Sequence, residues 1–196
     1  MNIFLASILM IALGFSPLQL DPPAWNVDKS HTNVGFTVKH FQVTPVQGEF
    51  KEYDVDLKFS PDDLENSSLS VVIDVNSIDT DNERRDGHLK SEDFFNVAEF
   101  SNITFESQSI EAVGENQFVA KGQLTMRDVI QDFELPFTLL GLVQNPFNEN
   151  ETVAAFQSEF QINRMDYEVG QGDWIANIIV AHEVDVELLV EVNAEL

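Results

Sequence analysis

The most constraining feature of this chain is its last long run, in which apolar and acidic residues alternate. Ile178, Val180, His182, Val184, Val186, Leu188, Val190 and Val192 fall on one side, and Glu183, Asp185, Glu187 and Glu191 on the other. A period of two marks an extended strand with one buried and one wet face; a helix would mix the two sets. The pattern recurs in Val34, Phe36 and Val38, in Val55, Leu57 and Phe59, and in Leu69, Val71, Ile73 and Val75. It returns in Ile103 and Phe105, in Phe118, Ala120, Gly122, Leu124 and Met126, in Phe133, Leu135, Phe137 and Leu139, and in Phe156, Phe160 and Ile162. Turn-forming stretches such as Ser60-Pro61-Asp62-Asp63, Gly114-Glu115-Asn116 and Asn145-Pro146-Phe147-Asn148 separate these runs. A series of this kind predicts an antiparallel meander that hides its edges by closing on itself. The expected fold class is all-β: a closed antiparallel eight-stranded barrel. Gly35 and Gly122, within strand patterns, are expected at bends of the wall.

One stretch departs from the alternation. Between Thr80 and Phe100, Arg84, Arg85, His88 and Leu89 sit among polar residues and Asp86-Gly87 interrupts, while Ser91 is placed to cap a turn containing Asp93, Phe94 and Phe95. One or two short helices inside a long connection are expected there. No internal repeat and no second domain is apparent.

Charge and composition narrow the function. The chain has 196 residues and 34 Asp+Glu against 10 Lys+Arg, a formal net charge of −24, and no cysteine. Nucleic-acid binding requires clustered cations to neutralise phosphates, so it is excluded as a function class. Without cysteine there is no disulfide, thiolate chemistry or Cys-ligated metal. Residues 1–20 contain no charged side chain and hold an apolar run from Ile3 to Leu13, followed by Gly14, Ser16 and Pro17. That run is shorter than the ~20 residues of a membrane-spanning helix and reads as a secretory signal peptide, leaving 21–196 as the mature domain; an uncleaved anchor is the alternative, and either would put the rest of the chain outside the cytoplasm. A periplasmic or secreted protein, with no stable membrane span after cleavage, is the expectation.

An eight-stranded barrel encloses an interior that is either filled by side chains or holds one slender ligand. Its expected wall is rich in Phe, Leu, Ile and Val, so a cavity there would take a hydrocarbon or long-chain lipid; a charged metabolite would lose its hydration for little return. The candidate lining residues are Phe36, Val38, Ile73, Phe105, Leu124, Phe133, Leu135, Phe137, Phe156, Phe160 and Ile162, with Trp174 at a rim. Ordinary core packing is the competing role for each. Catalytic and metal-binding patterns are poor: His31, His40, His88 and His182 show no paired ligand spacing, and no nucleophile elbow or phosphate-cradling glycine loop occurs. No catalytic residue, metal or cofactor is expected. His182 is expected as a hydrogen-bonded core histidine.

Several segments together resemble one family. Val27-Asp28-Lys29-Ser30-His31-Thr32-Asn33-Val34-Gly35-Phe36-Thr37-Val38-Lys39-His40 and Val46-Gln47-Gly48-Glu49-Phe50 resemble the opening of YceI-family proteins. The stretch Arg85-Asp86-Gly87-His88-Leu89-Lys90-Ser91-Glu92-Asp93-Phe94-Phe95 is similar to that family's helical connection. Gly122-Gln123-Leu124-Thr125-Met126-Arg127-Asp128-Val129 resembles its turn, with Asp128 where glycine is usual, and Ile162-Asn163-Arg164-Met165-Asp166-Tyr167 resembles a further element. The resemblance implies a lipocalin-like barrel with an elongated apolar interior, export, and binding of polyisoprenoids or other long-chain ligands of the fatty acid, amide or isoprenoid quinone type. It also implies a possible homodimer.

Within that resemblance, Arg85, Asp86 and His88, beside Phe94 and Phe95, either face the ligand's polar head or form a local network that pins the connection to the rim. Arg164 either holds a head-group oxygen, for which its planar fork is suited, or pairs with Asp166 or Asp93. Two other functions compete with lipid binding: a packed barrel that dimerises or docks on an envelope partner, and an enzyme on a lipid or quinone-like substrate using His88, Asp86 or Arg164.

Overall fold

A computed structural model describes residues 21–195; the expected signal segment, 1–20, lies outside the described residues. Eleven strands form one antiparallel sheet: β1 (Ala24–Val27), β2 (Asn33–His40), β3 (Thr44–Phe50), β4 (Tyr53–Lys58), β5 (Ser68–Asp74), β6 (Ile78–Asp79), β7 (Asn102–Gly114), β8 (Gln117–Met126), β9 (Val129–Gln144), β10 (Glu151–Asn163) and β11 (Val180–Glu195). The order is β1-β4-β5-β7-β8-β9-β10-β11, and a β1–β11 ladder closes the ring. β2, β3 and β6 continue from β11 at one end.

The count of eleven reduces to eight because three wall strands are broken. β1 and β2 lie in succession along β11, pairing with Val192–Asn193 and with Val180–Leu189 respectively. Between them Asp28 N–H donates to the Glu191 carbonyl at 2.9 Å, and Glu191 N–H donates to the Thr32 hydroxyl at 3.1 Å. β3 and β4 are parted by Lys51-Glu52, and β5 and β6 by a 3-10 turn over Val75–Ser77. The wall is therefore the closed, eight-stranded barrel the alternation predicts.

Local sequence explains the bends. At Gly122 any Cβ would collide with the Glu106 carbonyl, where β7 bulges between Ser107 and Ser109. A larger residue would push the two backbones apart. The β8–β9 hairpin turns on Arg127 and Asp128, both at positive φ (51° and 58°). Two consecutive left-handed residues define the tight turn that matches strand twist and is usually built from glycine or asparagine.

Two details of the last strand differ from expectation. Ile178 is exposed, because the ladder begins only at Val180 after a turn in which Ile179 N–H donates to the Ala176 carbonyl at 3.0 Å. The register also shifts between Val180 and Val184, which brings Ala181 inside. His182 lies at this irregularity, only half-buried, with Nε2–H donating to the Ile175 carbonyl at 2.7 Å.

The connection holds one α-helix, α1 (Glu83–Leu89), capped by the Asn82 side chain, which accepts from Arg85 N–H at 3.0 Å. Asp86 and Gly87 lie inside it, not at an interruption. Ser91 does not cap the following turn with its hydroxyl; it donates back to the His88 carbonyl at 2.7 Å and closes the end of α1.

The interior has two unlike halves. In one, Phe59, only 2% exposed, meets Phe118, Phe137 and Phe156 with ring centroids 5.1–5.7 Å apart, and Trp25, Ile110, Ala154 and Val192 fill the space around them. The other half is looser and lies beneath the 80–100 connection, where Leu89, Phe95 and Val97 pack on Phe50, Val75, Ile78 and Ile103.

Candidate functional site

The looser half contains a partly open apolar cavity of about 200 Å³ that extends to Phe105, Phe133, Leu135 and Phe160, which pack with the Phe59 cluster. Its wall includes Phe36, Val38, Ile73, Phe105, Leu124, Phe133, Leu135, Phe160 and Ile162 from the strands, and Phe94 and Phe95 from the connection. For scale, an apolar cavity of ~150 Å³ stays dry and accepts a benzene-sized guest. A second pocket of about 520 Å³, the mouth, adjoins it, with Phe36, Val38, Leu89, Phe94 and Val180 lining both. The mouth also touches Arg84, Arg85, His88, Trp174, His40, Thr80 and Asn82.

Phe137 and Phe156 are not in the cavity wall. They belong to the packed half around Phe59. Period two places them on the inner face, as expected, but does not say at which height the barrel is solid. That height is set by Phe59, which comes from the segment just after β4.

One wall of the cavity is only partly laddered. β9 pairs with β10 from Gln144–Thr152 to Thr138–Gln157 and no further. Pro136 offers no N–H at the parting point, and the Ser158 hydroxyl donates to its carbonyl instead. Beyond it the Phe133 and Phe160 rings, 5.2 Å apart, bridge the seam from inside.

Arg164 reaches the cavity wall but is already occupied. Nε donates to the Ala181 carbonyl at 2.9 Å, Nη2 to the Trp174 and Val180 carbonyls at 2.6 and 3.0 Å, and Nη1 to the Val169 carbonyl. The residue is 5% exposed, and this burial pulls its pKa below the usual guanidinium value. Neither expected carboxylate partner is engaged: Asp166 is exposed, and Asp93 faces His88. The guanidinium ties the turn after β10 to the start of β11 and the Trp174 segment, so it orders the mouth. Asp166 is not drawn into the site.

Arg85 and Asp86 converge on Thr80. Arg85 Nε–H donates to the Thr80 hydroxyl at 2.7 Å, and Thr80 N–H donates to Asp86 Oδ1 at 3.0 Å. His88 Nε2 lies 2.9 Å from Asp93 Oδ2, with its ring edge-on to Phe94 and Trp174 at 5.0 and 4.7 Å. The local network expected as one alternative is therefore present, and it leaves one face of Arg85 and His88 on the mouth. Arg84, exposed, stands beside them. Among the described residues no Asp or Glu lines the mouth, although acidic residues outnumber basic ones 34 to 10 in the chain.

Sequence reasoning missed Arg127. Its Nη1 donates to the Phe94 carbonyl at 2.6 Å and to the Glu168 carbonyl, so the β8–β9 turn holds both the connection and the turn after β10. A cation in an otherwise acidic sequence was the available signal. It also missed a grouping away from the mouth: Asp28, His31 and Glu191, whose ligand-type atoms all lie within 4.8 Å of one another. His31 Nδ1 is 3.0 Å from Asp28 Oδ2 and 3.4 Å from Glu191 Oε1. These carboxylates raise the imidazole pKa, the Asp28 hydrogen bond contributing most, and the same bond lowers the pKa of Asp28. His31 is exposed and the two carboxylates are half-buried, and the three groups satisfy one another.

The geometry defines a lipocalin-like eight-stranded barrel whose apolar interior opens at one end under a short helical cover. The chain belongs to the YceI-like domain family, whose profile matches residues 25–192. It is 36% identical over 143 residues to the UPF0312 protein SERP2314 of Staphylococcus epidermidis, covering 73% of this chain and 80% of that one. It is 31% identical over 147 residues to Protein YceI of Salmonella newport, covering 74% and 75% respectively. Among solved structures it matches Burkholderia cenocepacia BcnA with a TM-score of 0.76 and 26% identity, over 85% of this chain and 99% of that one. It also matches a Saccharophagus degradans domain described as polyisoprenoid binding, with a TM-score of 0.64 and 16% identity, over 88% and 99%. That last likeness speaks to the fold.

Proposed function

We propose that this protein is an exported carrier that holds a polyisoprenoid or other long-chain apolar lipid inside its barrel, for carriage, storage or envelope protection, without catalysing a reaction. The observation that carries the reading is the contrast between the two halves of the interior. Phe59 and its neighbours fill one half, whereas the other keeps an apolar cavity that opens to solvent. Retaining such a hollow forgoes dispersion contacts that a filled core would make. A hydrocarbon chain restores those contacts and removes its own surface from water at ~25 cal/mol per Å².

The mouth completes the reading. Its polar groups are Arg84, Arg85, His88 and His40, with Thr80 and Asn82 and no carboxylate, so it suits a head group that offers oxygen acceptors. Phe36, Val38, Ile73, Phe94, Phe95, Phe105, Leu124, Phe133, Leu135, Phe160 and Ile162 contact the chain, and Trp174 the region near the head. The family relationship and the apolar segment at 1–20 support a periplasmic or secreted location. Among the described residues no helix is long and apolar enough to cross a membrane.

The test is solvent extraction and native mass spectrometry of protein purified without detergent. A long-chain lipid bound one to one is the expected result. Folded protein that neither retains nor takes up any such lipid contradicts the proposal.

A further inference from the structure

Two loops project beside the mouth. The β2–β3 hairpin tip carries Phe41 and Val43, 56% and 78% exposed, and the segment before β11 carries Ile175 and Ile178, 48% and 70% exposed. The loops are zipped together: Phe41 N–H donates to the Ile179 carbonyl at 3.0 Å, and the Gln42 side-chain amide donates to the Asn177 carbonyl. The four apolar side chains therefore belong to one projecting edge. His40 and Trp174, next in the chain to Phe41 and Ile175, and Val180, two residues after Ile178, line the mouth, so this edge borders the entrance to the cavity.

The edge carries no formal charge. Residues 40–48 and 174–181 contain no Asp, Glu, Lys or Arg, in a chain whose net charge is −24. Acidic side chains cover other strands, as on the outer face of β11; they are missing from these two tips and from residues 135–148 at the far end, and of these uncharged stretches only the two tips border the mouth. A face free of carboxylates can approach a low-dielectric surface without desolvating charge. Exposed apolar tips beside polar groups mark an interaction surface, and shallow insertion of such side chains is how proteins sit at the lipid–water boundary.

We infer that the mouth edge formed by Phe41, Val43, Ile175 and Ile178 docks on the surface of a lipid bilayer and that lipid passes there directly between membrane and cavity. The inference rests on the carrier reading above. Its physical basis is the cost of the alternative: a long hydrocarbon chain crossing water to a distant cavity exposes its whole length, whereas an apolar edge seated in the bilayer keeps the chain covered.

The test uses the full mature chain with phosphatidylcholine vesicles and the double variant Phe41→Ser/Ile178→Ser, with Val113→Ser at the far end as control. Vesicle flotation and transfer of a fluorescent prenyl lipid out of vesicles are measured. Equilibrium uptake of the same lipid from detergent micelles is measured in parallel. The double variant is expected to lose at least tenfold in vesicle partitioning and in transfer rate while its uptake from micelles and its melting temperature stay unchanged. Val113→Ser should match the parent in every assay. If the parent takes up lipid from micelles but does not partition onto vesicles, or the double variant transfers lipid as fast as the parent, the docking inference is overturned while the carrier reading stands. If the parent takes up lipid from neither source, both fall. Sedimentation velocity that shows the parent dimeric and the double variant monomeric, with partitioning unchanged, assigns the edge to a second copy instead.

Discussion

Gly170 lies against the guanidinium of Arg164, at a φ of +104° and so close that any Cβ there would collide with Nη1. The glycine is needed twice, for its backbone conformation and for the space it leaves to a buried cation. Gly170→Ala should therefore destabilise the fold by about 2 kcal/mol or more, combining left-handed strain with displacement of Arg164. Arg164→Met should cost about 3 kcal/mol, since it leaves four carbonyls without their donor. Urea denaturation measures both. A loss below about 0.5 kcal/mol for Arg164→Met would show that these bonds contribute little.

Two substitutions should stabilise the protein. Asp128 occupies a left-handed position at φ 58°, and Gly87 lies inside α1 with nothing within 4 Å of where a Cβ would stand. Asp128→Gly relieves backbone strain and Gly87→Ala removes the entropic cost of glycine in a helix; each should add about 0.5–1 kcal/mol. Thermal melts of the single and double variants check the sign and the additivity.

The two halves of the interior should respond oppositely to volume. Phe59→Ala empties a packed site and should cost about 3–5 kcal/mol. Val184→Phe adds volume to the cavity wall, where space exists, so stability should hold or rise while lipid uptake falls roughly tenfold, the loss of ~1.4 kcal/mol of binding. In a filled interior the same change would instead cost about 1–3 kcal/mol from overpacking. A large destabilisation by Val184→Phe would thus contradict the hollow.

His31, Asp28 and Glu191 give a pH signature. The folded-state pKa of His31 is raised, so its contribution is full below the unfolded value of about 6.5 and disappears as pH rises through the folded value. The pKa of Asp28 is lowered, so its contribution is present above about 3.9 and is lost as pH falls through the folded value. The melting temperature of the parent relative to His31→Asn should therefore be higher near pH 5 than near pH 8.5. A difference independent of pH would remove the ion pair from the account.

Much of the wall was legible in the sequence. Alternation along Val184–Val192 and through Phe133–Leu139 depends only on which face meets water, and that is a local property. The breaks in the strands were not legible, because the step from β1 to β2 is held by Glu191, far along the chain. The role of Arg164 was hidden for another reason. Its partners are backbone carbonyls, which every residue carries, so no side-chain motif announces them. Period two puts Phe137 and Phe156 on the inner face but gives no depth, since the boundary between solid and hollow is set by Phe59, from the segment after β4.

The central claim is that the cavity holds a hydrocarbon chain, and the dependence of affinity on chain length tests it most directly. Delipidated protein is titrated calorimetrically with prenyl or acyl ligands that share one head group and differ in length. Each buried methylene is worth ~0.8 kcal/mol, so Kd should fall roughly fourfold per added carbon until the cavity is full, then level off. Affinity that is measurable but indifferent to chain length, or absent at every length, would contradict the account.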